Sequence, residues 1–325
     1  MEQVKSVLIT GISGFIGKLT VSYLARKNYN VTGIVRPGTS SAQLEHIPES
    51  VTLHELNLDD SKGLNDFLNK HNFDCVLHIG ALRGGRKYSK NTFYAVNVTS
   101  TQLIMEYCFK HKARLVFCSS VGVFGAIPEE LPANNYTRKR NDNYYHYTKI
   151  VCEEMIANRV LEGLDAIVVR PAITYGEGDY GFPYTLTKLI DKKLLRFPNQ
   201  PVRIHMTNAN TLAQIIARLV ETNVTPGTEF IVADKEPVLL AELVKFISNQ
   251  LHGADYPANR EIQVKWFRLG EAIARTMKNE LWISRFELLS RSWYFDTSEV
   301  YKQLDMQPEK TIPSFKTVIN WYKKH

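Results

Sequence analysis

Through its first half, the chain alternates short, nearly continuous apolar runs with amphipathic stretches. The runs lie at 7–10, 31–35, 51–56, 75–79, 114–119 and 166–170. Segments this short and this apolar suit strands covered on both faces. Between them, 15–27, 64–70, 92–111 and 147–161 have helical spacing; Leu103, Ile104, Tyr107 and Cys108 mark one apolar face. This alternation predicts an α/β, Rossmann-type doubly wound parallel sheet with right-handed crossovers. After about residue 171 the rhythm changes. Pro171, Pro183, Pro198, Pro201, Pro226 and Pro237 divide the chain into shorter pieces, with helices expected at 210–221 and 239–251. The expected organisation is a dinucleotide-binding domain over 1–170 and a smaller, closely joined substrate-binding lobe over 171–325, with some strands free to return to the sheet.

Composition changes this picture little. A 44% hydrophobic, 22% charged chain of 325 residues has the balance of an ordinary globular protein. No apolar run is long enough to span a bilayer. The apolar run after Met1–Lys5 is too short, and the glycine turn behind it too early, for a secretory signal, so a cytoplasmic location is expected. Cys75, Cys108, Cys118 and Cys152 sit in hydrophobic segments without C-x-x-C spacing, as small buried residues do, and no metal site is expected. The net charge of +7 suits an anionic ligand or a solvated surface. No basic block with interleaved aromatics points to nucleic acid.

The first run leads into Gly11-Ile12-Ser13-Gly14-Phe15-Ile16-Gly17, and a helix follows. Glycines three apart let a turn tighten and the backbone approach a pyrophosphate, which the helix N-terminus favours. Arg36 ends the second run, about twenty residues on, where an NAD site has an acid for the ribose 2′-hydroxyl. An arginine there can pair with a 2′-phosphate, so NADP(H) is preferred and NAD(H) remains possible. Asn57 and Leu58 are placed to flank the adenine.

The run at 114–119 ends in Ser119-Ser120, and Tyr145-His146-Tyr147-Thr148-Lys149 follows twenty-five residues after Ser120. Tyrosine and lysine four apart share a helical face. A nearby ammonium stabilises tyrosinate, which lets the phenol exchange a proton with a substrate hydroxyl. Neither motif alone is distinctive, since Tyr-x-x-x-Lys decorates many helices. In this order, with Leu77-His78-Ile79-Gly80-Ala81, Asn97-Val98 and Val169-Arg170-Pro171 leading to Tyr175-Gly176, they resemble the extended short-chain dehydrogenase/reductase family, also called the NAD-dependent epimerase/dehydratase family. The resemblance covers nearly the whole chain.

That resemblance implies Tyr145 as general acid/base, with Lys149 lowering its pKa and bonding the nicotinamide ribose, and Ser120 as binder of the reacting oxygen. It implies that His78, Gly80, Ala81, Arg83, Asn97, Pro171 and Ile173 line the cofactor, although a histidine on a core strand is also a common satisfied interior group. Ser120, Val121, Thr174, Tyr180 and Arg203 are candidate substrate contacts. Family dehydratases carry an Asp-Glu pair where this chain has Val121 and Gly122, so water elimination is not expected. Ile173 and Asn210 also depart from the nucleotide-sugar pattern, and the Arg170–Asp179 segment looks more like 3β-hydroxysteroid dehydrogenase and dihydroflavonol reductase relatives. Tyr180, Phe182 and Tyr184 could wall a less polar pocket or belong to the core. The expected function is therefore an NADP(H)-dependent oxidoreductase acting on a secondary alcohol or ketone. A nucleotide-sugar 4-epimerase or 4-ketosugar reductase is the alternative, and a non-catalytic NADP-sensing regulator the third reading. The partners expected are a small-molecule substrate and a second copy, as a homodimer through helices at 92–111 and 147–161.

Overall fold

The computed structural model describes residues 5–27, 29–83 and 88–325. The opening residues used in the leader argument, up to Val4, lie outside the described residues. Six of the predicted strands form as β1 (Ser6–Thr10), β2 (Asn30–Val35), β3 (Thr52–Glu55), β4 (Cys75–His78), β5 (Arg114–Cys118) and β6 (Ala166–Pro171). A seventh, β7 (Glu229–Val232), comes from the second half of the chain and pairs with β6. The sheet order is β7-β6-β5-β4-β1-β2-β3, and every pairing is parallel. The order reverses between β1 and β4, which opens a crevice at their carboxyl ends.

Helices α1 (Phe15–Leu24), α2 (Ser61–Asn69), α3 (Ser100–His111), α4 (Tyr144–Leu161) and α5 (Ala209–Arg218) flank the sheet. Two apolar clusters cover its faces; one includes Val7, Ile9, Val116 and Leu212, the other Leu8, Val76, Leu115 and Ile156. A third cluster, around Phe197, Ile204 and Trp293, is the core of the remaining lobe. Helix α5 packs along α1, and Gln214 Nε2 donates to the Tyr23 hydroxyl at 2.7 Å. Chain beyond residue 171 thus completes the sheet's first layer with a helix and a strand.

Three expectations change. All four residues of β3 are exposed, because it is the sheet's edge rather than a buried strand. The 92–111 helix is not continuous: Ala95–Thr99 widens into a π turn before α3. Such turns arise where one extra residue is accommodated, here around Asn97. Finally, β7 was hidden, since a four-residue strand in a proline-broken region carries no periodicity to distinguish it from loop.

Candidate active site

The glycine turn is built by exclusion. Gly11 has φ +72°, and a Cβ there would lie 2.7 Å from the Gly80 backbone. A Cβ on Gly17 would meet the Gly11 carbonyl at 2.2 Å. The turn, the start of α1 and the end of β4 therefore close on one another only without side chains. Helix α1 begins at Gly14 with no side-chain cap and no acid in its first turn. By contrast, Asp60 caps α2 and Asn143 caps α4. An uncapped N-terminus facing a crevice suits an anion, so the donor set fits a dinucleotide pyrophosphate. Ser13 and Ile16 lie half-buried in this turn, and Phe15 reaches across to Gly176. Leu58 is half-buried against Gly80, whereas Asn57 is exposed beside it.

Beneath the turn runs a chain of hydrogen bonds. The Gly80 N–H donates to Thr10 Oγ1 at 3.1 Å, and Thr10 Oγ1 meets His78 Nδ1 at 2.7 Å. His78 Nε2 lies 2.9 Å from Thr101 Oγ1, which donates to the Asn97 carbonyl. Because the Thr101 proton is committed to Asn97, His78 must donate from Nε2 and accept at Nδ1. Burial holds the ring neutral, pushing its pKa down to about 3, with Lys149 adding to the effect. Both ring nitrogens are occupied, so His78 braces the crevice floor instead of lining it. Asn97 is likewise buried: it accepts from the Leu82 N–H at 2.8 Å and donates to the Leu82 carbonyl at 3.0 Å. That two-way clamp sets the path of Ala81 and Arg83.

The two serines ending β5 separate cleanly. Ser119 is buried, and its hydroxyl donates to Glu153 Oε1 at 2.5 Å. Ser120 is partly exposed and accepts from the Gly122 N–H at 3.0 Å, which leaves its hydroxyl proton available. Tyr145 stands beside Ser120 on α4. One turn on, Lys149 donates to the Cys118 carbonyl at 2.6 Å, its ammonium 5.9 Å from the Tyr145 ring centre. Burial pushes the Tyr145 phenol well above its usual pKa, Cys118 adds to this, and Arg83 and the Ser120 hydroxyl oppose it. Burial also lowers the Lys149 pKa. The expected lowering of Tyr145 by Lys149 is therefore outweighed: desolvation of the phenol dominates, and Arg83 is the cation that opposes it.

Two residues that the sequence reading did not single out belong here. Glu153, one turn beyond Lys149, is buried with Arg170, whose guanidinium donates to both carboxylate oxygens at 2.9 and 2.7 Å. The signal was present as a third polar residue at four-residue spacing on a buried face. Asp179 is buried too, with its carboxylate against Gly181, where a Cβ would come within 2.9 Å. Burial raises its pKa, and the Arg83 charge opposes the rise. Arg83 thus acts on Asp179 and Tyr145 together.

The remaining candidates scatter. Pro171 is buried at the end of β6; Ile173 and Thr174 are half-buried and pair with Met206 and Thr207. Val121 is buried in the short helix after Ser120. Arg36 is exposed at the end of β2. Arg203 is exposed on a strand whose neighbour is Leu239. Tyr180 and Tyr184 pack edge-on to Trp321, with ring centres at 4.7 and 5.4 Å, and Phe182 packs against Trp293. Phe182 and Tyr184 are half-buried in the lobe's own packing, whereas Tyr180 stays 65% exposed. All four cysteines are free thiols, and Cys75, Cys108 and Cys152 are buried.

The family model of the NAD dependent epimerase/dehydratase family matches residues 7–214. UDP-glucose 4-epimerase 2 of Arabidopsis thaliana is 26% identical over 209 residues, a match spanning 58% of this chain and 59% of that relative. Among solved structures, the Bordetella bronchiseptica enzyme WbmH in complex with NAD+ aligns with TM-score 0.78 and 18% identity, covering 99% of this chain and 100% of that one. UDP-glucose 4-epimerase of Thermotoga maritima with UDP-glucose aligns with TM-score 0.77 and 16% identity, over 98% and 99%.

Proposed function

Since the chain belongs to the NAD-dependent epimerase/dehydratase family, we propose that it is a nucleotide-sugar 4-epimerase working with NAD(H). The observation that carries this reading is the convergence of Ser120, Tyr145 and Lys149 at the mouth of the crevice, in a chain similar to UDP-glucose 4-epimerases. It displaces the simple ketone reductase as first choice, because the relatives are epimerases and WbmH binds NAD+.

Gly11, Gly14, Gly17 and the start of α1 would hold the pyrophosphate, and Lys149 the nicotinamide ribose. A bound NAD(H) would supply the capacity to take up a hydride and give it back. Ser120 binds the substrate oxygen and Tyr145 exchanges its proton. With its pKa raised, Tyr145 is protonated at neutral pH and ready to donate to a carbonyl oxygen. Alcohol oxidation needs the phenolate, which the positive charges of Arg83 and Lys149 favour. Val121 and Gly122 offer no acid or base for water elimination.

The test is to incubate the protein with UDP-glucose and catalytic NAD+ and follow UDP-galactose by NMR. Interconversion without net change in NADH supports the epimerase. A second reading, an NADP(H)-dependent ketone reductase, is favoured by Arg36, whose exposed position at the end of β2 suits a 2′-phosphate. Net NADPH oxidation by a ketone, without epimerisation, selects it. Arg36→Ala should then weaken NADPH binding and leave NADH binding unchanged. A homodimer through α3 and α4 is part of the same proposal, and sedimentation velocity checks it.

A further inference from the structure

The second lobe carries a helical hairpin, α6 (Val264–Thr276) and α7 (Glu280–Ser290), with two unlike faces. Inward, Phe267 meets Phe286 edge-on, and Gly270 lies so close that a Cβ would come within 2.6 Å of the Phe286 ring. Glu271 and Glu287 are buried there; Arg291 pairs with Glu271 at 2.7 Å and Arg275 with Glu287 at 2.6 Å. Outward, Trp266, Leu269, Ile273 and Met277 follow one another at intervals of three, four and four residues, which places them on a single stripe. Leu281 and Trp282 continue it at the start of α7. All six are exposed, from 48% for Trp282 to 72% for Met277. They are six of the fifteen large apolar side chains exposed among the described residues, gathered within a single hairpin.

Cations border the stripe. Lys265 lies over the Trp266 ring at 5.7 Å and Arg285 over the Trp282 ring at 5.2 Å. Arg268 and Lys278 add two more, both exposed. Outside the buried ion pairs, Glu280 is the single acid between 264 and 291. A second copy docking by this same face would set these cations against their equivalents across a twofold axis. An anionic bilayer meets every feature: aliphatic side chains enter the acyl boundary, indoles sit at headgroup depth, and lysine and arginine reach phosphates. No helix of the described residues is long and apolar enough to cross a membrane, and an interfacial hairpin does not need one.

We propose that the α6–α7 hairpin docks this protein on the surface of an anionic phospholipid membrane. The docking face is built from the hairpin alone, whatever reaction takes place in the crevice.

The full chain is sedimented with vesicles of phosphatidylcholine alone and of phosphatidylcholine mixed with phosphatidylglycerol. At least tenfold stronger partitioning into the mixed vesicles is expected. Tryptophan emission should shift to the blue, because Trp293 and Trp321 are already buried and the change reports Trp266 and Trp282. Lys265→Gln with Lys278→Gln should weaken binding about twenty-five-fold, at about fivefold per surface cation. Trp266→Ser with Trp282→Ser should abolish the emission shift. Circular dichroism and NAD+ binding, unchanged in both variants, verify that the fold is kept; should the tryptophan variant unfold, the lysine variant still decides. No binding, or equal binding to both vesicle types, overturns the proposal. So does a dimer in vesicle-free solution that the tryptophan variant dissolves, since the face would then be a self-interface.

Discussion

Helix α4 carries Tyr145, Lys149 and Glu153 at four-residue intervals, so a single stripe of it runs along the end of β5. The two ends of that stripe are built differently. At the inner end Glu153 takes the Ser119 hydroxyl, both donors of Arg170, and Lys139 at 2.8 Å. Arg170 also reaches Glu229 at 2.5 Å, which ties β6 to its neighbour β7. Glu153 and Arg170 are buried and matched, and the half-buried Lys139 and Glu229 complete the set. At the outer end the Ser120 hydroxyl bonds the half-buried Tyr145 phenol, and Arg83 opposes the desolvation of that phenol without pairing with it. The inner end holds α4 in register on the sheet; on the proposed function, the outer end would use that register for proton exchange. Adjacent serines with the same side chain therefore belong to different parts of the protein's economy of interactions.

The largest effect should come from cutting the outer end. Tyr145→Phe is expected to lower turnover in the epimerase assay about a hundred- to ten-thousandfold. Its melting temperature should stay close to the parent's, because the ring and its packing remain. A large loss of stability with little loss of turnover would reverse the assignment of the two ends. Next, Glu153→Ala should cost about 3 to 5 kcal/mol of stability in urea unfolding, since it leaves Arg170 buried beside too little negative charge. Turnover of the protein that remains folded should change far less than in Tyr145→Phe. Smaller still is the paired test of the serines. Ser119→Ala should cost about 1 to 3 kcal/mol of stability by removing a donor from a buried carboxylate. Ser120→Ala should lower kcat and leave stability within about 0.5 kcal/mol. Equal stability losses would mean that the seam does not divide at these serines.

How much of this was legible depends on what kind of signal each residue leaves. The glycine turn could be read because much of its constraint is local: Gly11 takes a positive φ, and a side chain on Gly17 would meet the Gly11 carbonyl six residues before it. Tyr145 and Lys149 could be read because helical spacing places them together whatever surrounds the helix. Glu153 has the same spacing, yet its meaning depends on Arg170 and Glu229, which only the strand order β7-β6-β5 brings near it. Asp179 is similar, since its environment is set by Arg83, far away in sequence. His78 was identified without its role, because choosing between ligand contact and interior brace requires knowing that Thr10 and Thr101 occupy both ring nitrogens. The aromatic trio at 180–184 was ambiguous for the same reason: Trp321 and Trp293, which receive it, come from the end of the chain.

Acid titration gives the finest test, because the buried groups release stability in separate pH windows. Burial lowers the pKa of His78 to about 3 and of His205 to about 4, the latter against the hydrogen bonds to the Asp234 carbonyl and the Phe295 N–H. Both stay neutral in the fold but protonate at about 6.5 when unfolded. The unfolded chain thus binds more protons below pH 6.5, and stability must fall as the pH drops from there towards 4. His146, lowered to about 4 by burial, is a third such group, Asp234, raised to about 6 by burial, opposes them, and each contributes a slope of up to about 1.4 kcal/mol per pH unit. Glu153 acts lower. Burial raises its pKa, but the hydrogen bonds and charge of Arg170, with Lys139, more than offset this, so it titrates below the usual glutamate value. Its contribution is intact above about pH 4.5 and lost only as the pH falls through its folded pKa. Urea unfolding between pH 7 and 5 should accordingly show the histidine slope in the parent and in Glu153→Gln alike. Below pH 4.5 the parent should lose stability more steeply than Glu153→Gln, which has no carboxylate to protonate. Parallel curves across both windows would show that Glu153 is not held charged by Arg170, and the inner end of the stripe would lose its distinction from the outer one.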